Sequence, residues 1–219
     1  MAVNKTVEKA HSFEPTILRS YDIRGRVGDT LFEKDAFFIG AGLGQIIREN
    51  LGGKKPVKIA VGRDGRITSQ KLATVLIDGL VFAGCQVLDI GVGPTPMLYF
   101  ADRYLECHGA IQVTGSHNPP DHNGFKMVYD HQSFFGADIQ KLGVLCASGL
   151  TGHDGGAEDK ISVFDAYIDR ILKGADFGEA NIVWDAGNGA AGPATDAIIA
   201  RATGQHKGMF TDIDGNFPN

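Results

Sequence analysis

The sequence predicts an α/β protein: a three-layer α/β/α domain with a mixed sheet, followed by an incomplete second α/β domain. Three observations carry this. From about residue 17 to 148, short β-branched runs alternate with segments of helical periodicity, the pattern of an α/β layer architecture. Two apolar strands flank a polar loop at 114–123 and lie close enough to pair antiparallel, so the sheet is mixed. Past residue 160 there is room for one helix and one β-α-β unit. Two parallel strands cannot cover both their faces and form an independent core, so either this sheet continues on another chain or the natural polypeptide is longer, the second being the reading taken.

The elements follow in order. Phe37, Ile39, Ala41, Leu43, Ile46 and Ile47 recur at helical spacing, which predicts a helix over 32–51 ended by Gly52-Gly53. VKIAV at 57–61 is a short buried strand. Ser69 offers an N-cap to a helix carrying Leu72, Val75, Leu76 and Leu80 and stopped at Gly84. Residues 86–92 form the next strand, and Pro94 and Pro96 open a helix through Tyr104. GAIQV at 109–113 and GFKMVY at 124–129 are strands, and 136–147 is helical in pattern. GLTGHDGGAEDK at 149–160 is polar, Gly-rich and without apolar periodicity, so it reads as a linker or exposed connection. A helix over 161–172, a strand at 182–186, the turn GNGAAGP, a helix through Ala202 and a strand at 209–213 complete the reading.

Composition narrows the function. The chain has 219 residues, 21 Lys+Arg against 26 Asp+Glu, a net charge of −5, and 43% hydrophobic residues. It can bury a sizeable core. Its pI near 5.8 argues against a nucleic-acid surface, which carries clustered Lys/Arg and a pI above about 9. Thirty glycines are about twice the usual share of ~7%. Many fall in short loops, where a missing side chain lets backbone N–H groups approach a ligand. Cys85, Cys107 and Cys146 are scattered and odd in number, with no CxxC pair. That argues against a disulfide framework and for a reducing compartment. The first residues hold no apolar signal core, and no stretch approaches the ~18 apolar residues of a membrane span. The expectation is a cytoplasmic protein without membrane or nucleic-acid partner. The oligomeric state is left open.

The string with the most chemistry is TGSHNPPDHNG at 114–124. Composition alone reads it as a long Asx/Pro turn. It also concentrates a nucleophile type, Ser116, a titratable neighbour, His117, and backbone-shaping residues at a strand end, where α/β sheets bind ligands. A serine hydroxyl needs a base or a cation to become a useful nucleophile. His117 and Lys126 are the candidates. The Gly-x-Ser-x-Gly elbow of hydrolases is absent.

TGSHNPPDHNGFK resembles the active-serine loop of the α-D-phosphohexomutases, in particular the phosphomannomutase/phosphoglucomutase type. YDIRG at 21–25 and GRDGR at 62–66 resemble two further loops of that family. GVGPTPMLYF, DAGNGAAG and the closing DGNFPN follow in order, so the resemblance runs from about Phe13 across the chain. It implies a phosphoserine at Ser116 that gives its phosphoryl group to a hexose phosphate and takes the other phosphate back. The intermediate is a hexose 1,6-bisphosphate of glucose or mannose. By match of motif, Arg24 and Lys126 lie near the transfer centre and His117 and Asn118 shape the site. Tyr21, Asn118 and Arg66 contact substrate. The resemblance assigns residues 1–155 to the active-serine domain and 156–219 to the start of a second, truncated one.

The resemblance also implies Mg²⁺, held by the serine phosphate and by a DGDxDR loop. No such string occurs here, which leaves Ser116, through its phosphate, as the one ligand of the family type. The loops that recognise the sugar are missing too. The expectation is an N-terminal portion, inactive as a mutase by itself, whose sequence does not choose between mannose and glucose.

Other readings compete. Gly187, Gly189 and Gly192 satisfy GxGxxG after a strand, with Asp212 placed as a ribose-binding acid, which would make this part of a dinucleotide-binding oxidoreductase. The bland alternative is a tight turn that needs glycine. His108, His117, His122 and His131 could be metal ligands, but no pair has a compact helical spacing. A non-catalytic phosphate-binding module is the remaining alternative.

Overall fold

The computed structural model describes residues 5–6, 10–53 and 56–219. In chain order the elements are β1 (Lys5–Thr6), a 3-10 turn (Pro15–Ile17), β2 (Ile23–Arg26), α1 (Glu33–Asn50), β3 (Val57–Arg63) and α2 (Ser69–Phe82). Then come β4 (Cys85–Val92), α3 (Thr95–Tyr104), β5 (Gly109–Val113), β6 (His122–Tyr129), β7 (Gln132–Phe134) and α4 (Ala137–Ser148). The last are β8 (Thr151–Gly152), β9 (Ala157–Lys160), α5 (Phe164–Leu172), β10 (Asn181–Asp185), α6 (Gly192–Ile199) and β11 (Gln205–Met209).

Strand order in the main sheet is β2-β6-β5-β3-β4-β9, with β7 also paired to β6. Strands β5, β3, β4 and β9 run parallel, and β6 is antiparallel to β5, β2 and β7. The sheet is mixed, as the pairing across the 114–123 loop predicts. Alternation along β3 shows how the layers are built. Ile59 and Val61 join the core that contains Leu43, Leu76 and Leu142 of α1, α2 and α4. Ala60 points the other way, to Leu98 of α3 and Ile168 of α5. All five residues of β5 are buried. Among the described residues, no helix is long and apolar enough to cross a membrane.

Helices α1 and α2 touch backbone to backbone. A Cβ on Gly40 would stand 2.2 Å from the Leu76 carbonyl oxygen, and one on Gly79 would stand 2.1 Å from that of Phe37. Neither neighbour can yield without moving a helix. Gly79→Ala is therefore expected to lower stability by about 1–3 kcal/mol, the usual cost of overpacking a core. The urea midpoint should fall at unchanged slope. An unchanged midpoint would mean the helices slide apart freely.

Several boundaries correct the sequence reading. Residues 149–160 are more than a linker or exposed connection: β8 pairs with β1, and β9 is the edge strand beside β4. Division at 155/156 leaves β9 of the larger sheet on its far side. AEDK is exposed throughout, and a charged edge strand protects a sheet from further pairing while carrying no apolar signal. Ser69 does not cap α2; Thr68 precedes the helix and Ser69 is its first residue, fully buried. The last strand is Gln205–Met209, not 209–213. It pairs parallel with β10, Gln205 opposite Asn181. Crossover through α6 makes the expected β-α-β unit, and Ala194 of α6 shares a core with Leu98 and Ile168.

Candidate active site

Two carboxylates and two guanidinium groups organise the ends of β2, β3, β5 and β6. Asp64 follows β3, and its N–H donates to the Val113 carbonyl of β5 at 2.9 Å. Its side chain then collects donors. The Thr114 hydroxyl lies at 2.8 Å and the Gly115 N–H at 3.2 Å. The Arg66 backbone N–H lies at 3.0 Å. The Ser69 hydroxyl donates to Asp64 as well, which is why Ser69 is buried rather than a cap.

Arg66 is 4% exposed and gives every N–H it has to protein. Nε donates to Asp64 at 3.2 Å. Nη1 donates to the carbonyls of Pro119 and His122 at 2.6 and 3.1 Å. Nη2 donates to those of Ser116 and Asn118 at 3.0 and 2.7 Å. A guanidinium has five donors, and none is left for substrate. In this geometry Arg66 grips the loop from inside rather than facing the cavity with a free donor. Gly115 makes room for it, since a Cβ there would stand 2.4 Å from Arg66 Cζ.

Held in this grip, Ser116 adopts φ +55°. Left-handed backbone in a non-glycine residue costs on the order of 1–2 kcal/mol and persists where surrounding bonds over-determine it. Here the Ser116 N–H donates to Thr114 Oγ1 at 3.1 Å, while its carbonyl is taken by Arg66. The hydroxyl stays half-buried, with its Oγ 3.4 Å from Nδ1 of the exposed His117. Asn118 is half-buried and folds back on the loop. Its N–H and Nδ2 both donate to the Gly115 carbonyl, at 3.1 and 3.0 Å. Asp121 ties the far side of the loop to Arg26 at 2.8 Å. The His122 hydrogen bond, helped by Arg26, holds the Asp121 carboxyl below its usual range.

Ser116 and His117 line a cavity of about 310 Å³ with Asp64, Thr95, Ala190 and Phe217. Two helix N-termini meet it, those of α3 at Thr95 and of α6 just past Ala191. Helix N-termini carry partial positive charge and favour anions. The cavity therefore suits a group as anionic as a phosphoserine, about −1.5 to −2 at neutral pH.

Arg24 and Lys126 stand on one face of the sheet, because Arg24 is in register with Gly124, two residues before Lys126. Asp22, 5% exposed, accepts from both through the same oxygen. Arg24 Nη2 donates to Asp22 Oδ2, and Lys126 Nζ lies 3.3 Å from that atom. Lys126 lines a neighbouring groove with Tyr21, Tyr99 and Phe135, and Tyr21 is 82% exposed. Thus Ser116 and His117 share one cavity, Tyr21 and Lys126 another, and Asp22 binds Arg24 to Lys126. Neither Asp22 nor Asp64 was singled out from the sequence, although both sit inside quoted motifs. An acid two residues from an arginine, in YDIRG and again in GRDGR, is the signal that could have found them.

The glycines of GNGAAG have conformational reasons. Gly187 and Asn188 have φ of +52° and +57°, and a Cβ on Gly192 would stand 1.8 Å from the Thr211 carbonyl oxygen. The histidines do not gather: His108 accepts from the Lys58 N–H, and His131 pairs with Asp102. Among the described residues no three His, Cys, Asp or Glu come together to hold a metal ion. Asp64 is filled by its donors. These residues therefore do not make a Mg²⁺ site by themselves.

Comparison with known proteins agrees with the motifs. Residues 15–142 match the family model "Phosphoglucomutase/phosphomannomutase, alpha/beta/alpha domain I". A phosphomannomutase/phosphoglucomutase from Pseudomonas aeruginosa is 38% identical over 212 residues, 96% of this chain and 45% of that protein. A phosphoglucomutase from Neisseria gonorrhoeae is 38% identical over 207 residues, 93% of this chain and 44% of its own. Among solved structures, a phosphoglucomutase/phosphomannomutase family protein from Burkholderia thailandensis superposes with a TM-score of 0.85 at 38% identity. It covers 94% of this chain and 46% of that one. The chain thus spans about half the length of the relatives it matches. The dinucleotide-binding reading gives way to these matches and to the packing reasons for the glycines: the chain belongs to the phosphoglucomutase/phosphomannomutase family.

Proposed function

We propose that the chain supplies the phosphoryl-carrying part of a phosphohexomutase acting on hexose 1- and 6-phosphates of glucose, mannose or both. The observation that carries the proposal is Ser116. It projects from a loop locked by Arg66, with strained backbone, into a cavity met by two helix N-termini. In the cycle the Ser116 Oγ–phosphorus bond breaks as a sugar hydroxyl oxygen bonds to phosphorus. The hydroxyl proton leaves, and Oγ takes one up. The bisphosphosugar turns and returns its other phosphoryl group by the reverse step. The helix ends and nearby cations offset charge that spreads over the moving group.

Arg24 and Lys126, steadied by Asp22, are proposed to supply such charge, and Lys126 to handle the hydroxyl proton. His117 sits beside Oγ, and Tyr21 offers an exposed phenol to the sugar. Residues up to about 155 would form the active-serine domain, with β9 at 157–160 completing its sheet from the start of the next. The relatives' names motivate glucose and mannose phosphates as substrates, while the motif resemblance implies a hexose 1,6-bisphosphate as intermediate and Mg²⁺ as the ion that would neutralise phosphate charge. A cytoplasmic setting suits metabolic phosphosugars.

The test is incubation with a hexose 1,6-bisphosphate labelled in phosphate, followed by peptide mapping. Acid-stable label should sit on the peptide that contains Ser116. Label confined to another residue would overturn the assignment. Phosphosugar binding without any transfer of label would instead favour the non-catalytic module.

A further inference from the structure

The segment DGNFPN at 214–219 takes no part in the chemistry above, yet it reaches back to the loop that does. It is knotted to the turn after β10. The Asp214 N–H donates to the Asn188 carbonyl at 3.0 Å, and Asn188 Nδ2 donates to the Asp212 carbonyl at 2.9 Å. The Phe217 N–H closes on the Asp214 carbonyl at 3.0 Å, with φ +49° at Phe217.

From this base the segment lies on residues 64–67. A Cβ on Gly65 would stand 2.1 Å from Ile213 Cγ2, and one on Gly215 would stand 2.8 Å from the Gly65 carbonyl oxygen. The Phe217 ring then covers the Arg66 guanidinium, 5.1 Å from Cζ to the ring centroid. The same ring lines the Ser116 cavity.

We propose that Phe217 is a positioning residue: its ring seats the Arg66 guanidinium and thereby fixes the loop that carries Ser116. Arg66 spends Nη1 and Nη2 on four loop carbonyls, and its Cζ stands over the Phe217 ring. A cation over an aromatic face is attracted to it, and more strongly where water is excluded. Without the ring, water reaches the guanidinium face and competes for the carbonyls. The loop would then loosen although no residue between 114 and 124 has changed. The β10–α6–β11 unit so becomes part of what holds the serine in place. This rests on the reading of Ser116 as phosphoryl carrier only for its purpose. The geometry itself is testable without substrate.

The experiment is amide hydrogen exchange on the 219-residue chain carrying Phe217→Leu, Phe217→Ala or Phe217→Tyr. Leu and Ala should accelerate exchange at Gly115, Ser116, Asn118 and His122 roughly fivefold to tenfold, the scale of a half-buried cation–π contact. Exchange in Gly109–Val113 should stay unchanged, and Tyr, which keeps the ring, should match the parent. Three results would overturn the proposal: loop amides unmoved by Leu and Ala, equal acceleration in Gly109–Val113, or Tyr behaving like Leu. Because no phosphosugar is present, failure here leaves the labelling result at Ser116 untouched, and the reverse holds as well.

Discussion

Alanine at Ser116 is expected to reduce phosphoryl uptake from a labelled bisphosphosugar to background, with the fold retained. The nearby Thr114 hydroxyl cannot substitute. The Thr114 hydroxyl is committed, donating to Asp64 and accepting from the Ser116 N–H, and Thr114 is 7% exposed. Oγ of Ser116 has one side-chain neighbour within hydrogen-bond reach, His117 at 3.4 Å, so its removal leaves no buried group unpaired. Ser116→Thr sharpens the point. It restores a hydroxyl but puts a β-branched residue at φ +55°, where such residues are outliers. Threonine should therefore be nearly as inactive as alanine, whereas a cysteine would fit the backbone. Intact mass after incubation reads all three. A phosphorylated alanine variant would move the carrier elsewhere.

In a protein of the relatives' full length, Arg24→Ala and Lys126→Ala are each expected to lower kcat by roughly 10²-fold, the scale of a lost transition-state donor. Stability should respond differently. Either single variant leaves Asp22 with one cation. The double variant leaves a carboxylate with 7% side-chain exposure without its partners, and breaking a buried pair in that way costs about 3–5 kcal/mol. The two losses should therefore be non-additive in a double-mutant cycle, and adding Asp22→Asn to the double variant should recover part of the stability. Normal kcat in both single variants would confine Arg24 and Lys126 to a structural role around Asp22. Additive stability losses would remove Asp22 as their common anchor.

The interior of the larger sheet was legible because buried strands need continuous apolar runs. VKIAV at 57–61 and GAIQV at 109–113 are such runs, and both are strands. What stayed hidden was strand structure with no face to bury. AEDK at 157–160 is held by backbone bonding to β4, and QHKGM at 205–209 by its pairing with β10. A search for apolar residues passes over both. At the candidate site the motif located Ser116 and its loop. It did not reveal that Arg66 turns inward, because a sequence shows a charge but not the carbonyls within its reach. It likewise named Arg24 and Lys126 without the carboxylate between them, since Asp22 and Lys126 meet only across the β2–β6 pairing.

The way Arg66 holds the serine loop has a consequence for how that loop can vary. Its four loop bonds all end on main-chain oxygens, of Ser116, Asn118, Pro119 and His122. Such a grip is blind to the identity of the side chains it spans. Pro120 and Asp121 could be exchanged, or His122 replaced, without removing a single one of those bonds. The path of the chain is thereby insulated from its lettering: the outward side of the loop is a place where recognition can be rewritten while the reactive oxygen stays where it is.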